Sequence, residues 1–326
     1  MKTCPVLGVA SILLAVPAGC GVFLPSGLLS GLVLNPDTSC DQLARSLRLG
    51  DLPDAASPAD VGFQFQPVAV KSANGRMLAG WFIPAQRDGQ LTDQPAGTVL
   101  VMHGTDGSQA CALPWAAVAA LNGWHAVVFD YQGFGDSEGA ADIATQLDDS
   151  EAMLNWIISD SGAARQVVHL LGVSLGTGPA QGLAALRARP QVRSVALDGS
   201  YDPVAMLERV ESSIGPVLPL LGVSARLGFG WLFEMRGRLT DVAVPAMFIH
   251  ASRDRITPLS GAQTMFDLSG SPAKTFWRFD GLTHVQPLFI ATSDYVSLLV
   301  TFWRDPAGQP DPSASDTDAS IRLPSF

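Results

Sequence analysis

Leu171-Gly172-Val173-Ser174-Leu175-Gly176 closes one apolar run, 167–173, and opens a segment of helical period, 177–189. A serine with glycine two positions to either side, set between strand and helix, is the arrangement that lifts a hydroxyl on a sharp turn above the carboxyl edge of a sheet. The glycines leave room for the turn, and the helix that follows points its amide end at developing negative charge. Setting matters more than letters, because a chain with 32 glycines would hold such a pentapeptide by chance roughly 0.3 times. Leu221-Gly222-Val223-Ser224 makes the contrast: Ala225-Arg226 replaces the second glycine, and Pro216 and Pro219 disrupt any preceding strand. Ser224 therefore reads as ordinary connecting sequence.

Outward from that turn the chain alternates. Short apolar runs at 98–102, 125–129, 193–197, 246–250 and 274–279 are separated by helical-period segments at 113–121, 143–158, 258–268 and 287–303. Strands buried on both faces and joined by crossover helices predict an α/β fold with a doubly wound, mostly parallel sheet. Phe63-Gln64-Phe65-Gln66 alternates with period two, Asn74-Gly75 is a turn signal, and 77–83 reads as the return strand. Together they predict an antiparallel N-terminal hairpin at one edge. The stretch between 197 and 246 exceeds an ordinary crossover and predicts a small helical cap at about 200–240. Its apolar residues, among them Leu218, Leu221, Phe229, Trp231 and Phe233, either pack on the core or line a pocket.

Composition limits the function classes. The chain has 326 residues, 47% hydrophobic and 15% charged, enough apolar content for a sizeable core, which excludes wholesale disorder. Its net charge of −10, with no cluster of Lys or Arg, offers no electrostatic footprint for nucleic acid. Residues 3–36 carry no charge, and an apolar stretch at 6–16 stands behind Lys2 as a secretory signal requires. Val16-Pro17-Ala18-Gly19-Cys20 resembles a bacterial lipoprotein signal, with Pro17 where an aliphatic residue is usual, and that resemblance implies lipid on Cys20. The alternative is an uncleaved apolar anchor, which Pro17 and Pro25 would break as a helix. Both place the N-terminus at a membrane and the protein outside the cytoplasm, in the bacterial envelope.

The expected organisation is a signal at 1–19, a membrane-proximal tether at 20–60, one domain at 61–305 and a disordered tail at 306–326. Within the tether, 42–49 is a short amphipathic run. With Cys4 in the signal and Cys20 at its end, Cys40 and Cys111 remain as an even pair in an oxidising compartment. They are either a disulfide or two separate buried thiols.

A serine needs an imidazole base, itself oriented by a carboxylate. Of five histidines, His103, His125, His169 and His250 sit in or at the ends of strands and read as packed side chains. His284 differs: it lies in Asp280-Gly281-Leu282-Thr283-His284, after the final strand and before the final helix. Asp254, just past the preceding strand, is the favoured acid; Asp198, one strand earlier, is the alternative. Serine, aspartate and histidine then follow in the chain order of α/β-hydrolases.

Over roughly 62–305 the sequence resembles the serine hydrolases of the α/β-hydrolase superfamily, in their esterase- and lipase-like, membrane-associated branch. Val101-Met102-His103-Gly104-Thr105-Asp106-Gly107 is similar to its His-Gly loop. Asp130-Tyr131-Gln132-Gly133-Phe134-Gly135-Asp136-Ser137-Glu138-Gly139 is similar to a second glycine-rich segment, with Gln132 in place of the usual arginine. The resemblance implies that Ser174, His284 and Asp254 form a catalytic triad and that the backbone amides of Thr105 and Leu175 form the oxyanion hole. His103 is then structural, and the substrate is a small acyl ester or thioester. No spacing of His, Cys and Asp suggests a metal site and no loop cradles phosphate, so neither metal nor cofactor is expected. Two other readings are a non-catalytic envelope lipoprotein that keeps the fold as a binding module, and a serine peptidase.

Overall fold

The structure, a computed structural model, describes residues 30–31, 33–49, 55–159, 167–214, 230–308 and 321–324. The expected signal, Cys20, Ser224 and the cap residues Leu218, Leu221 and Phe229 lie outside the described residues.

Eight strands form one sheet: β1 (Gln66–Lys71), β2 (Met77–Ile83), β3 (Thr98–Met102), β4 (His125–Phe129), β5 (Val168–Val173), β6 (Val192–Asp198), β7 (Ala246–Ala251) and β8 (Lys274–Phe279). Their spatial order is β1-β2-β4-β3-β5-β6-β7-β8, antiparallel through β1, β2 and β4 and parallel from β4 to β8. The mostly parallel sheet with an antiparallel N-terminal hairpin is as the sequence predicts.

Nine helices accompany it among the described residues: α1 (Cys40–Leu47), α2 (Leu113–Leu121), α3 (Gln146–Ser159), α4 (Thr177–Leu186), α5 (Pro203–Ile214), α6 (Gly230–Gly237), α7 (Leu259–Leu268), α8 (Pro287–Ile290) and α9 (Thr292–Arg304). None of these is long and apolar enough to cross a membrane.

Successive strand residues feed opposite cores. Leu100 and Met102 of β3 join Val127, Phe129, Leu170, Leu197 and Phe248 on one face, under α3, α4 and α6. Val99 and Val101 join Ala126, Val128, Leu171, Ala196 and Ile249 on the other, under α2 and α9. Apolar residues at both parities are why these strands read as unbroken hydrophobic runs.

Three expectations are corrected. Phe63 and Phe65 precede the first strand, which starts at Gln66; both pack on the core, Phe65 edge-on to Trp81, so their alternation marks extended chain without a ladder partner. The described part of the expected tether is not a loose spacer. Leu34, Ala44, Leu49 and Ala55 are buried in the two cores, α1 starts on a Ser39–Gln42 capping box, and Cys40 is joined to Cys111 in a disulfide with the two Cα atoms 5.0 Å apart. In the tail, 321–324 lies against the domain, where Arg322 donates to Asp88 and exchanges hydrogen bonds with Asn122. Of the expected cap, α5 and α6 are described. Leu232 is fully buried, Phe233 packs on the core, and Trp231 donates to the Ile143 carbonyl, so these residues pack rather than line a pocket.

Candidate active site

In register, Met102 of β3 lies beside Gly172 of β5, and Val173 beside Asp198 of β6. The loops leaving β3, β5, β6, β7 and β8 therefore open on one carboxyl edge, where open α/β sheets place their ligands.

Ser174 follows β5 at once and has φ +53, a left-handed conformation that a residue with a side chain seldom adopts. The flanking glycines hold it there for a steric reason. A Cβ on Gly172 would strike the Gly176 carbonyl, and one on Gly176 would strike the Met102 carbonyl of β3. Thr177, first residue of α4, closes the turn by donating its hydroxyl to the Ser174 carbonyl at 2.7 Å. The turn is packed too tightly to relax, and its strain aims the hydroxyl.

Ser174 Oγ lies 2.8 Å from His284 Nε2, and His284 Nδ1 lies 2.6 Å from Asp254 Oδ2. Asp254 Oδ1 accepts the amides of Ile256 and Thr257, both at 2.9 Å, and Oδ2 also accepts the Thr257 hydroxyl at 2.9 Å. Burial pushes the Asp254 carboxyl up, but the hydrogen bond and charge of His284, the Thr257 amide and the nearby His250 outweigh it and hold it below its usual value. A carboxylate pinned at both oxygens orients the His284 ring, with Nδ1 toward Asp254 and Nε2 toward Ser174.

Asp198 is brought close but not into this line. Its Oδ2 accepts Tyr295 Oη–H at 2.8 Å and Trp115 Nε1–H at 3.2 Å, and burial pushes its carboxyl up to about 6. Thr105 lines the same cleft as Ser174 and His284, with Gly104 packed against Ser174 Cβ, and Leu175 is the next residue of the turn. His103 is 2% exposed, packs its ring against Tyr131 and edge-on to Phe134, and bonds through Nδ1 to the Gly104 carbonyl; burial lowers it to about 4. His125 accepts the Ala85 amide and His169 pairs with Ser194. Among the described residues no cluster of His, Cys, Asp and Glu could hold a metal ion.

Several site residues escaped sequence reasoning. Thr257 also sits 3.2 Å from His284 Nδ1; its place three residues after Asp254 and just before Pro258 was the available signal. His250, at the end of β7, bonds to the Thr257 carbonyl and stands 3.7 Å behind Asp254. Val285, a buried β-branched residue, has φ +49 next to His284. The cleft's apolar wall comes from Leu43, Leu47 and Leu49 in and beside α1, with nothing in their spacing to link them to Ser174.

In the second glycine-rich segment, Asp130 accepts the amides of Gln109 and Asp136 and so ties the loop after β4 to the loop after β3. Gln132, in place of an arginine, donates to Asp149 at 2.6 Å and accepts from Asn74. Without a cation beside it, burial raises the Asp149 carboxyl. The segment is structural scaffold on both counts.

A family model described as alpha/beta hydrolase fold matches residues 97–226, which include Thr105 and Ser174 but neither Asp254 nor His284. YfhR of Escherichia coli K12 is 24% identical over 221 residues, covering 66% of this chain and 72% of that protein. Rv2307c of Mycobacterium tuberculosis H37Rv is 27% identical over 238 residues, covering 73% and 78%. The lysophosphatidylserine lipase ABHD12 of Danio rerio is 27% identical over 188 residues, 52% of this chain and 47% of that one. Among solved structures, the Pyrococcus furiosus esterase Pf2001 superposes with TM-score 0.62 at 17% identity, covering 85% of this chain and 98% of that chain. An esterase from Exiguobacterium antarcticum does so at 0.53 and 15%, covering 73% and 100%.

Proposed function

Because the chain has the α/β-hydrolase fold, we propose that it is a serine hydrolase that cleaves carboxylic ester or thioester bonds through an acyl-enzyme. The observation that carries the reading is the unbroken line from Ser174 Oγ through His284 to Asp254, at 2.8 and 2.6 Å. Ser174 Oγ attacks the acyl carbonyl as its proton passes to His284 Nε2. The amides of Thr105 and Leu175 stabilise the oxyanion, and Asp254 stabilises the imidazolium. His284 then gives its proton to the leaving alkoxide or thiolate, which departs as alcohol or thiol and leaves an acyl ester on Ser174. Water, deprotonated by His284, attacks that ester; the acid leaves and the proton returns to Ser174. No step needs a metal or cofactor. The names of the similar proteins, a lipase and esterases, favour the same chemistry, and the apolar cleft favours an apolar acyl group.

Ser174→Ala is expected to lower kcat on p-nitrophenyl esters by about 10⁴ or more and to abolish fluorophosphonate labelling, while Ser224→Ala keeps most of both. Equal losses in the two variants would remove the assignment of Ser174.

The proposal extends to location. The apolar segment ahead of Ser30 attaches the protein to a membrane from outside the cytoplasm, by lipid on Cys20 or by the segment itself, and the Cys40–Cys111 disulfide fits an oxidising compartment. Membrane fractionation of the wild type and of Cys20→Ala, with mass spectrometry of the mature N-terminus, separates the two routes. A freely soluble protein with an unmodified N-terminus well past Cys20 would defeat both.

A further inference from the structure

We propose that Leu43 and Leu47 of α1 set the acyl chain length this site accepts, and that the Cys40–Cys111 disulfide holds them in that position. The inference rests on the hydrolase reading and adds to it where specificity lies.

The two leucines are four apart on one helical face and partly buried, and they line the cleft that holds Ser174, His284, Trp115 and Val285. At the mouth stands Ile256, 54% exposed, an apolar side chain left open to solvent beside the reacting groups. The space between these side chains is about 50 Å³, well under the roughly 300 Å³ at which ligand sites usually begin. Only a short acyl group fits while α1 stays in place, because the leucines of that helix line the same small space as Ser174.

Besides the burial of Ala44 and Leu49, α1 is held by the two loops that carry the chemistry. On one side Cys40 is bonded to Cys111, Asn35 donates its amide to the Thr105 carbonyl at 2.9 Å, and Gly107 donates to the Asn35 carbonyl at 3.2 Å. On the other, the Gln286 side chain donates to the carbonyls of Leu47 at 3.0 Å and Arg48 at 3.3 Å. Thr105 is the oxyanion-loop residue, and Gln286 is two residues past His284. The helix thus spans the cleft from the oxyanion loop to the histidine loop, fastened covalently at one end and by hydrogen bonds at the other. Reduction of the disulfide by a dithiol, which is oxidised as Cys40 and Cys111 each gain a proton and an electron, releases the covalent end. The wall can then swing outward and admit longer chains.

The test is the ratio of kcat/KM for p-nitrophenyl decanoate to that for p-nitrophenyl acetate, measured on the full chain. Leu43→Ala and Leu47→Ala are each expected to raise it about tenfold or more. Dithiothreitol is expected to raise it for the wild type and to leave it unchanged for Cys40→Ser, whose ratio is already high. Fluorophosphonate labelling of each protein runs alongside. Labelling with an unchanged ratio in both leucine variants overturns this inference and leaves the hydrolase reading standing. Absence of labelling in the wild type overturns the hydrolase reading, and this inference with it.

Discussion

Asp254 and Asp198 are both buried beside His284, and their hydrogen bonds give them opposite work. Asp254 accepts two amides and one hydroxyl and still presents Oδ2 to His284 Nδ1. Asp198 spends Oδ2 on Tyr295 and Trp115. Asp254→Asn should therefore lower kcat by about 10⁴, the serine-protease figure for loss of the orienting carboxylate. Asp198→Asn should lower it by less than about tenfold, since the amide oxygen still accepts from Tyr295 and Trp115. Steady-state kinetics on one ester decide it, and a larger loss at Asp198 would move the acid to β6. That Ser174 and His284 come together was legible because each is marked locally, by glycines at fixed offsets or by a loop after the last strand. Which carboxylate meets His284 stayed open in the sequence because Asp198 is drawn away by Tyr295 and Trp115, 97 and 83 residues distant. No local pattern reports such a partner.

At the scale of elements, the central strands were legible because residues of both parities face an apolar core. β3, β4 and β8 start and stop where the sequence predicts. The losses occur where tertiary contacts override local pattern. β1 begins at Gln66 because pairing with β2 starts at Phe82, whatever the alternation of Phe63 and Phe65 suggests. The final helical segment, one piece by its period, divides at Ala291, where φ −118 and ψ 45 interrupt α8 from α9. α1 is the most consequential case. Its eight residues carry an amphipathic pattern that sequence reading could assign only to a tether. A disulfide across 71 residues and the Gln286 hydrogen bonds make it a wall of the cleft. Closing a loop of that length removes unfolded-state entropy worth on the order of 4 kcal/mol, more than a helix this short contributes by itself.

Across the whole molecule, burial has placed titratable groups whose pH dependences oppose one another. Asp130 and Asp198 are each pushed up to about 6 from the usual 3.8. As pH rises from about 4 to 6 the unfolded chain releases these protons before the folded one, so stability on their account falls. His103 and His169 are held down to about 4 and about 3 from 6.5. As pH drops below 6.5 the unfolded chain takes up those protons first, so stability on their account falls in the other direction. Asp254, held low, acts with the histidines, because its contribution is present above the usual carboxylate value and is lost as pH falls. The two sets offset each other between about pH 4 and 6 and flatten the wild-type profile, which hides each contribution until one is removed. Asp198→Asn removes one group that loses stability with rising pH and keeps an acceptor for both donors. Relative to the wild type it should gain about 3 kcal/mol between about pH 4 and 7, from a shift of roughly two units at about 1.4 kcal/mol each. Urea midpoints for both proteins at about pH 4, 5.5 and 7 measure the difference directly. A difference that stays constant across that range would mean that Asp198 ionises at its ordinary value, and that its pairing with Tyr295 and Trp115 fully offsets its burial.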